Sequence, residues 1–328
     1  MSPADRTTHH IARIMGFEMQ SALDADQVRA FLIHHFNSEV TDVAPIGAGA
    51  WSRCFGFRQN GQALVVRFGK YADDFQKDQR AHTFAAPDLP IPQVLAIGSA
   101  FDGYYCISTR AFGIPLEQVS AHQWRALVPA LADALEALRR ADISATRGFG
   151  SWRSNGMAPH ASWSSFLLSV GDDTPDRRTH GWRRRLAATP DGEAAFHWGF
   201  DMLQRLASDA IPRCFVHCDL INRNVLVEGA RITGIFDWGC SLYGDHLYDL
   251  AWFEFWAPWH PNLDVGLLRL ELERRWRATG YLPEDLEARL RACYLHIGLD
   301  HIAYNAHLGD WPTLIATAAR MRALAESG

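Results

Sequence analysis

The spacing of apolar residues changes part-way along this chain, and the change predicts where strands give way to helices. Asp24 and Gln27 form a capping-box pattern ahead of apolar residues at helical spacing, which predicts a leading helix. Short apolar runs follow, and Asn60-Gly61 is a strong hairpin signal between two of them. A helical stretch that begins near Asp73 interrupts the series. The predicted strands lie at residues 43–46, 54–57, 63–68, 94–97 and 104–108.

Helical spacing dominates after Gly113. Apolar residues from Trp124 to Leu138 trace one helix face, although Pro129 predicts a kink or a late start of this helix. The segment 148–185 is rich in Gly, Pro and Ser and has no clear period. Further elements are predicted as strands at 214–216, 224–227 and 231–236, and as helices at 197–208, 267–278, 283–297 and 311–325.

These patterns predict an α+β fold with two lobes. The β-rich N-terminal lobe comprises residues 1–108, and a connection at about 107–112 leads to a larger helical C-terminal lobe, residues 113–328. The chain has 328 residues, 48% apolar and 21% charged, which is ordinary globular composition with ample material for a core.

Charge and cysteine content narrow the class of protein. The formal net charge of −5 argues against a nucleic acid partner. No apolar run approaches the length of a bilayer span, and the first twenty residues lack the apolar region of a signal peptide. The six cysteines form no C-x-x-C pair, and Cys214 and Cys218 beside His217 are better explained by packing than by zinc. We expect a cytoplasmic monomer with reduced thiols and no membrane contact.

The sequence from His217 to Asn224 has the form H-x-D-x-x-x-x-N, and Asp237 follows at the end of a short apolar run. This layout is typical of phosphoryl-transfer sites of the kinase type. Asp219 is the candidate base, while Asn224 and Asp237 are candidate Mg²⁺ ligands, since Mg²⁺ prefers oxygen donors. Two strands around the turn at Gly229 would bring Asn224 and Asp237 together. The alternative is an ordinary hairpin with polar residues at its ends.

Glycines between the first two predicted strands indicate a phosphate-binding loop. Gly47 and Gly49 allow backbone N–H groups to approach a phosphate, and Ser52 is a candidate hydroxyl donor. The loop is not a Walker A motif, because no G-K-[ST] follows, and it is not a Rossmann turn, because a strand follows instead of a helix. The alternative is a plain hairpin.

The third predicted strand ends at Arg67, where kinases usually carry lysine. Arginine stays charged and binds phosphate through two N–H groups, so we favour Arg67 over Lys70, which follows a strand-breaking glycine. Asp78 on the next helix is the preferred ion-pair partner, with Asp74 as the alternative. Ser108 and Arg110 lie in the connection that would offer backbone groups to an adenine. The predicted nucleotide is ATP, and the pattern does not distinguish it from GTP.

Residues 244–252 read G-D-x-x-x-D-L-A-W, and no D-F-G or A-P-E motif is present. With the catalytic motif, this run resembles the aminoglycoside phosphotransferase family, which has a bilobal protein-kinase-like fold. Longer tracts are similar to the hygromycin B branch of that family, and the resemblance extends from about residue 25 to 310. These tracts include Leu89-Pro90-Ile91-Pro92, Gly148-Phe149-Gly150, Phe255-Trp256, Pro258-Trp259 and Ile297-Gly298-Leu299-Asp300.

The resemblance implies ATP-dependent phosphorylation of a hydroxyl group on an aminocyclitol antibiotic, hygromycin B in first place, which confers resistance. Carried onto this chain, it makes Asp219 the base and Asn224 and Asp237 the Mg²⁺ ligands. It implies that Arg67 holds the α- and β-phosphates and that His217 supports the loop. Two alternatives remain. The protein could be a kinase of another small hydroxyl compound, such as a metabolite amine, sugar or macrolide, or a catalytically silent nucleotide-binding protein.

Acidic residues outnumber basic residues around the motif: six acids stand against Arg223 and Arg231 between residues 219 and 254. Such a segment favours Mg²⁺ and a cationic substrate. Flat aromatic surfaces for sugar faces are also needed, and the alternative for these aromatic residues is ordinary core packing. Residues 151–200 match the family weakly, and we expect this segment to help shape the acceptor site. The candidate acceptor residues are Trp256, Trp259, Glu254, Asp300 and Tyr304.

Overall fold

The computed structural model describes residues 23–48 and 52–327. A five-stranded antiparallel sheet forms the N-terminal part, in the order β1-β2-β3-β5-β4, with α1 packed on it and α2 between β3 and β4. Its elements are α1 (Ala25–Phe36), β1 (Val40–Ala48), β2 (Ser52–Gln59), β3 (Gln62–Gly69), α2 (Ala72–Ala81), β4 (Val94–Ala100) and β5 (Gly103–Thr109).

Local sequence signals explain these elements. Asp24 caps α1 and completes the predicted capping box with Gln27. Asn60 and Gly61 both have positive φ (50° and 78°), as a tight two-residue hairpin requires, and the turn sets Gln59 opposite Gln62. Leu64, Val66 and Phe68 are buried at alternate positions of β3, so this strand presents one apolar face to the core beneath α1.

Helices and short strands make up the remainder. The elements are β6 (Ile114–Pro115), α3 (Ala121–Arg140), β7 (Gly150–Ser151), α4 (Trp163–Leu168), α5 (Trp182–Leu186), α6 (Pro190–Leu206), β8 (Cys214–Val216), β9 (Val225–Glu228), β10 (Arg231–Ile235), β11 (Leu242–Gly244), α7 (Leu247–Trp256), α8 (Val265–Thr279), α9 (Leu286–Leu308) and α10 (Trp311–Glu326). Helices α7 and α9 are buried over most of their length, α5, α6, α7 and α10 pack against α9, and α3 packs against α8.

The predicted elements are present, with longer boundaries in several places. Helix α3 begins eight residues before Pro129 and continues through it, so the predicted late start is wrong. Helix α6 begins at Pro190, a good first residue for a helix, rather than at 197. Helix α9 continues eleven residues beyond the predicted end. Within the described part of the chain, none of the helices is long and apolar enough to span a bilayer.

Two small antiparallel sheets position the motif. One has the order β10-β9-β6 and the other β7-β11-β8. The first pairs Ile235 with Val225, so the chain that follows Ile235 runs beside the chain that precedes Val225. The second holds the strand that leads into His217. Helix α2 of the N-terminal part contacts the turn that follows β10, and the boundary between the N-terminal part and these loops is called the cleft.

A buried ion pair links the start of α7 to α9. The Arg289 guanidinium donates to both Asp245 carboxylate oxygens, with Nε–Oδ2 and Nη2–Oδ1 distances of 2.8 and 2.6 Å. Asp245 Oδ1 also accepts from the Leu247 N–H in the first turn of α7. The two side chains are only 7% and 1% exposed, so each charge depends on the other for stabilisation.

We therefore expect Arg289→Met to lower the free energy of unfolding by about 3–5 kcal/mol, because it leaves the Asp245 carboxylate buried without its partner. Urea denaturation of purified protein measures this. Arg58→Met is the matched control, since the Arg58–Asp42 pair is solvent-exposed and should contribute less than about 1 kcal/mol. Equal losses in the two variants would contradict the role of burial.

Candidate active site

The loop between β8 and β9 begins with two backbone N–H groups held by one carboxylate. Asp249 of α7 accepts from the His217 N–H (3.0 Å) and from the Cys218 N–H (2.7 Å). Cys218 has a φ of 66°, which a residue other than glycine adopts only when its surroundings require it. Burial raises the pKa of Asp249 to about 7, and the two N–H donors oppose that rise. Asp249 thus fixes the direction in which the loop leaves the strand.

The His217 side chain joins this loop to the chain around Asp237. Its Nδ1 accepts from the Asp219 N–H at 3.2 Å, so the proton lies on Nε2, which donates to the Phe236 carbonyl at 3.1 Å. The residue is fully buried, and desolvation lowers its pKa to about 4, so the imidazole is neutral. The supporting role expected for His217 agrees with this geometry, since both nitrogens are occupied.

Asp219 lies at the centre of the loop and receives two amide donors. Its Oδ1 accepts from Asn222 Nδ2 at 2.6 Å and its Oδ2 from Asn224 Nδ2 at 3.1 Å. Asp219 is half-buried. Burial, followed by the charge of Asp237, raises its pKa to about 8, and both amides oppose the rise. A carboxylate of this kind is a suitable base for a hydroxyl proton.

The hairpin brings Asn224 and Asp237 together, as its strand pattern predicts. The Phe236 N–H donates to the Asn224 carbonyl at 3.0 Å, so the residue after Phe236 emerges beside Asn224. Asp237 has a φ of 64° and is exposed. The surrounding protein, followed by the charge of Asp78, raises its pKa to about 6, while Arg67 opposes the rise.

This pair has the donor chemistry that Mg²⁺ requires. Asn224 uses its amide nitrogen on Asp219, both on the backbone carbonyl (2.8 Å) and on the carboxylate, and so keeps its amide oxygen as an acceptor. Asp237 supplies a carboxylate. Residues 23–48 and 52–327 contain no group of three His, Cys, Asp or Glu side chains fit to hold a metal ion. Two oxygen donors from the protein leave the other positions of an octahedral Mg²⁺ to phosphate oxygens and water.

Arg67 and Asp78 form the ion pair predicted on the N-terminal side. The Arg67 guanidinium bonds Asp78 Oδ2, lies 3.8 Å from Cys106 Sγ and covers the Phe75 ring at 5.2 Å. Asp78 Oδ1 accepts from the Trp238 N–H at 2.8 Å. One carboxylate therefore connects the cation on β3 with the residue directly after Asp237. The alternative partner, Asp74, instead bonds Arg178.

The glycine-rich segment lies partly outside the described residues. Gly47 is exposed in β1 and pairs with Cys54, and Ser52 opens β2 opposite Gly69. Gly49 lies outside the described residues. The phosphate-binding role of Gly47, Gly49 and Ser52 therefore stays a prediction.

The connection after β5 is held by the sheet. Ser108 is buried and pairs with Val65 and Val94 in neighbouring strands. The Arg110 N–H donates to the Ala63 carbonyl at 3.3 Å, and its guanidinium lies 4.8 Å from the Phe112 ring centre. Because its own N–H is occupied, Arg110 would reach a nucleotide through its carbonyl or its side chain. The adenine-contact role of both residues stays a prediction.

Four of the five predicted acceptor residues lie in or beside one aromatic cluster. The Trp256 ring centre lies 5.2 Å from that of Trp259 and 4.8 Å from that of His301, which in turn lies 6.5 Å from Tyr304. Trp259 is 40% exposed, so this cluster has an open face. Asp300 precedes His301, and its side chain is 49% exposed. Helices α7 and α9 thus present aromatic rings and one carboxylate together.

The Cys240 thiol is influenced both by the catalytic loop and by this cluster. Loss of hydration within the surrounding protein raises its pKa strongly, followed by the charges of Asp219 and Asp237, while Lys77 opposes the rise and Asp300 adds to it. Cys240 likewise contributes to the raised pKa of Tyr304. The base, the candidate metal ligand and Asp300 therefore all act electrostatically on one thiol.

Glu254 is the exception among the predicted acceptor residues. Its carboxylate bonds the Tyr294 hydroxyl and lies 3.4 Å from the Arg269 guanidinium, while Arg320 donates to its backbone carbonyl. These groups line a separate cavity on another face of α7, away from Trp256. The helical period explains the difference: positions 252 and 256 share one face, and position 254 points elsewhere. The structure does not bring Glu254 to the site.

Three further residues near the site were not predicted. Lys77 of α2 is buried and bonds the chain after Asp237. Arg178 bonds Asp74 of α2 at 2.9 Å, and Arg177 lies 3.8 Å from Asp300. Both arginines lie in the segment that has no hydrophobic period. Their partners are distant in sequence, so only the run of charges at 176–178 would have drawn attention to them.

Comparison with known proteins assigns the family. A model of the phosphotransferase enzyme family matches residues 42–293. The chain belongs to this family. The hygromycin-B 4-O-kinase of Escherichia coli is 32% identical over 309 residues, covering 93% of this phosphotransferase and 86% of that enzyme.

Solved structures agree with this assignment and with the predicted kinase-like fold. The crystal structure of aminoglycoside phosphotransferase APH(4)-Ia matches with a TM-score of 0.80 at 32% identity, covering 93% of this chain and 99% of that chain. A thermostable mutant of the same enzyme in ternary complex with AMP-PNP and hygromycin B matches with a TM-score of 0.78 at 32% identity, covering 92% and 98%.

The environment of Asp219 predicts how activity depends on pH. A base must be deprotonated to accept the hydroxyl proton, so kcat/KM should fall as the pH is lowered through the pKa of Asp219, near 8 in the free protein. Asn222→Ala removes one amide that favours the charged form and should move this acid limb to higher pH. Steady-state rates of the parent protein and of the variant, measured across the pH range, locate the acid limb of each. An acid limb near pH 4, or a downward shift in the variant, would contradict the assignment.

Proposed function

We propose that this phosphotransferase transfers the γ-phosphoryl group of ATP to a hydroxyl group of an aminoglycoside or aminocyclitol antibiotic, hygromycin B in first place, and so confers resistance. The observation that carries the proposal is the arrangement of Asp219 beside the Asn224–Asp237 pair, with Arg67 connected to the same loop through Asp78. The relatives named above support the acceptor class.

In the proposed mechanism Asp219 orients the acceptor hydroxyl and accepts its proton as the oxygen bonds to phosphorus. The amides of Asn222 and Asn224 keep the carboxylate turned toward the cleft. Asn224 and Asp237 would hold Mg²⁺, which when bound reduces the negative charge of the phosphate oxygens. Arg67 binds the α- and β-phosphates with the N–H groups that Asp78 does not occupy, since guanidinium has five donors.

The acceptor site in this proposal is the aromatic cluster with its neighbouring carboxylate. Hygromycin B is a polycation with many hydroxyl groups, so Asp300 binds an ammonium group while Trp256, Trp259 and Tyr304 pack on sugar faces. The open face of Trp259 and the half-exposed Asp300 side chain support this role. The carboxylates of Asp219 and Asp237 add to the negative potential that attracts a cation.

We also propose that the chain is organised in two lobes. Residues 1–108 act as the nucleotide-binding lobe, residues 107–112 as the connection and residues 113–328 as the acceptor-binding lobe. A single chain acts in the cytoplasm, without nucleic acid or membrane partners.

An acceptor panel tests the substrate class. ATP consumption is measured with hygromycin B, other aminoglycosides, a macrolide and metabolite amines. We expect the highest kcat/KM with hygromycin B. Absence of turnover with hygromycin B beside rapid turnover of a macrolide or an amine would refute the proposed acceptor, and absence of turnover with every acceptor despite nucleotide binding would refute the enzyme activity.

Asp219→Asn tests the base. We expect kcat to fall by roughly a hundred-fold or more, because the amide cannot accept the hydroxyl proton, while ADP affinity changes little. Steady-state kinetics and calorimetric ADP titration measure the two quantities. Asp102→Asn, at an exposed turn between β4 and β5, is the control and should behave as the parent protein. Retention of full kcat by Asp219→Asn would exclude Asp219 as the base.

Asp300→Asn tests the acceptor site. Loss of one charge-assisted contact should raise the KM for hygromycin B by about ten-fold or more, with little change in the KM for ATP. Glu254→Gln is the contrasting variant, because the structure turns that carboxylate toward Tyr294 and Arg269; its hygromycin KM should stay unchanged. The opposite ranking of the two variants would show that the acceptor lies on the other face of α7.

A further inference from the structure

Two consecutive residues of α2 contact the two ends of one short 3₁₀ helix, Trp238–Cys240, which directly follows Asp237. At its first residue, the Asp78 carboxylate accepts from the Trp238 N–H at 2.8 Å. At its other end, the Lys77 ammonium donates to the Gly239 carbonyl at 2.6 Å and approaches the Ser241 carbonyl at 3.4 Å. The contacts therefore bridge the N-terminal part of the chain and the loop that carries the candidate metal ligand.

The signs of the two charges match the turn that they hold. A helical turn exposes N–H groups at its start and carbonyl groups at its end, so an anion is favourable at the first and a cation at the second. Asp78 and Lys77 occupy those positions in that order. Exchanging the two charges would oppose both sets of backbone dipoles.

The Lys77 side chain is buried. It is 2% exposed, its third acceptor is Ser151 Oγ at 3.4 Å, and its ammonium lies 4.8 Å from the Trp152 ring centre. Removing an ammonium group from water is costly unless hydrogen bonds replace the lost hydration. Three acceptors and an aromatic face supply that replacement, so the position of the carbonyls and the position of the charge depend on each other.

Asp237 needs such support. Its φ of 64° is uncommon outside glycine, although aspartate adopts it more readily than most residues, and neighbouring contacts stabilise the backbone in this conformation. The Phe236 carbonyl before Asp237 is held by His217, and the Trp238 N–H after it is held by Asp78. Lys77 donates to two carbonyls further along, those of Gly239 and Ser241. The backbone is thus fixed on both sides of the carboxylate.

We propose that Lys77 is a positioning residue for the metal site: by holding the Gly239 and Ser241 carbonyls, it keeps the Asp237 carboxylate directed at the Mg²⁺–nucleotide complex. The inference rests on the proposed function, because it takes Asp237 as the Mg²⁺ ligand. Residues that orient a metal ligand without touching the metal typically change metal affinity by about 10–100-fold when they are replaced.

The test is Mg²⁺-dependent ADP binding, which requires no antibiotic and no turnover. ADP is titrated calorimetrically into the full-length protein at a series of Mg²⁺ concentrations, and the electron paramagnetic resonance line width of Mn²⁺–ADP reports the order of the metal site. For Lys77→Met we expect the apparent Mg²⁺ affinity of the ADP complex to fall by about ten-fold or more. ADP affinity without metal should stay within about two-fold, and the Mn²⁺ signal should broaden.

Arg139→Met is the matched control, since it also removes a cation that is largely buried. Arg139 bonds Glu136 within α3 and lies over the Tyr281 ring, and it bonds neither the catalytic loop nor the chain after Asp237 in any contact described above. This variant should lose thermal stability with no change in Mg²⁺ affinity. Lys77→Gln provides a second variant, because its neutral amide retains donor groups; it should lose less stability than Lys77→Met and still weaken Mg²⁺ binding.

Three outcomes would overturn the inference. Parental Mg²⁺ affinity in a folded Lys77→Met or Lys77→Gln protein would show that Lys77 only stabilises the fold. Equal weakening in Arg139→Met would show that the effect follows general destabilisation. If the parent protein itself bound ADP without any response to Mg²⁺, the proposed metal site would fail together with the role of Lys77. Failure of the acceptor proposal alone would leave these binding results unchanged.

Discussion

The neutral imidazole of His217 is the constraint on which the rest of the site depends. One ring nitrogen accepts from the backbone of the catalytic loop, and the other donates to the backbone before Asp237. One buried ring therefore sets the separation of the two loops. Each loop contains a non-glycine residue in a left-handed conformation, Cys218 in one and Asp237 in the other. Because the ring is fully desolvated, a shift of either loop would leave a buried polar group without its partner.

The balance of charge explains why two cations, Arg67 and Lys77, lie beside the carboxylates of the site. The charge of Asp237 adds to desolvation in raising the pKa of Asp219, and the charge of Asp78 does the same for Asp237. Arg67 and Lys77 offset part of this repulsion from the N-terminal side. A metal ion bound with nucleotide would offset more of it, which links the protonation state of the base to the loading of the site. The same excess of negative charge favours a cationic acceptor over a neutral one.

Local signals made the fold and the reacting residues predictable from sequence. Asn60-Gly61 requires a tight hairpin, and the spacing from Asp219 to Asn224 and Asp237 follows from one loop and one hairpin. Lys77 was not predictable, because its partners are backbone carbonyls about 160 residues away, which no pattern of side chains records. Glu254 was predicted as an acceptor residue from its charge, and that charge does not show which face of the helix the side chain occupies. The structure resolves that face through the contacts with Arg269 and Tyr294.

The central claim is that this site moves a phosphoryl group from ATP to the antibiotic itself. The most direct measurement is a single-turnover reaction with enzyme in excess over γ-phosphate-labelled ATP, in the presence of hygromycin B and Mg²⁺, followed by separation of the products. We predict that the label leaves ATP and appears on hygromycin B as one phosphate ester. Label that appeared only as inorganic phosphate, or that stayed on ATP, would contradict it.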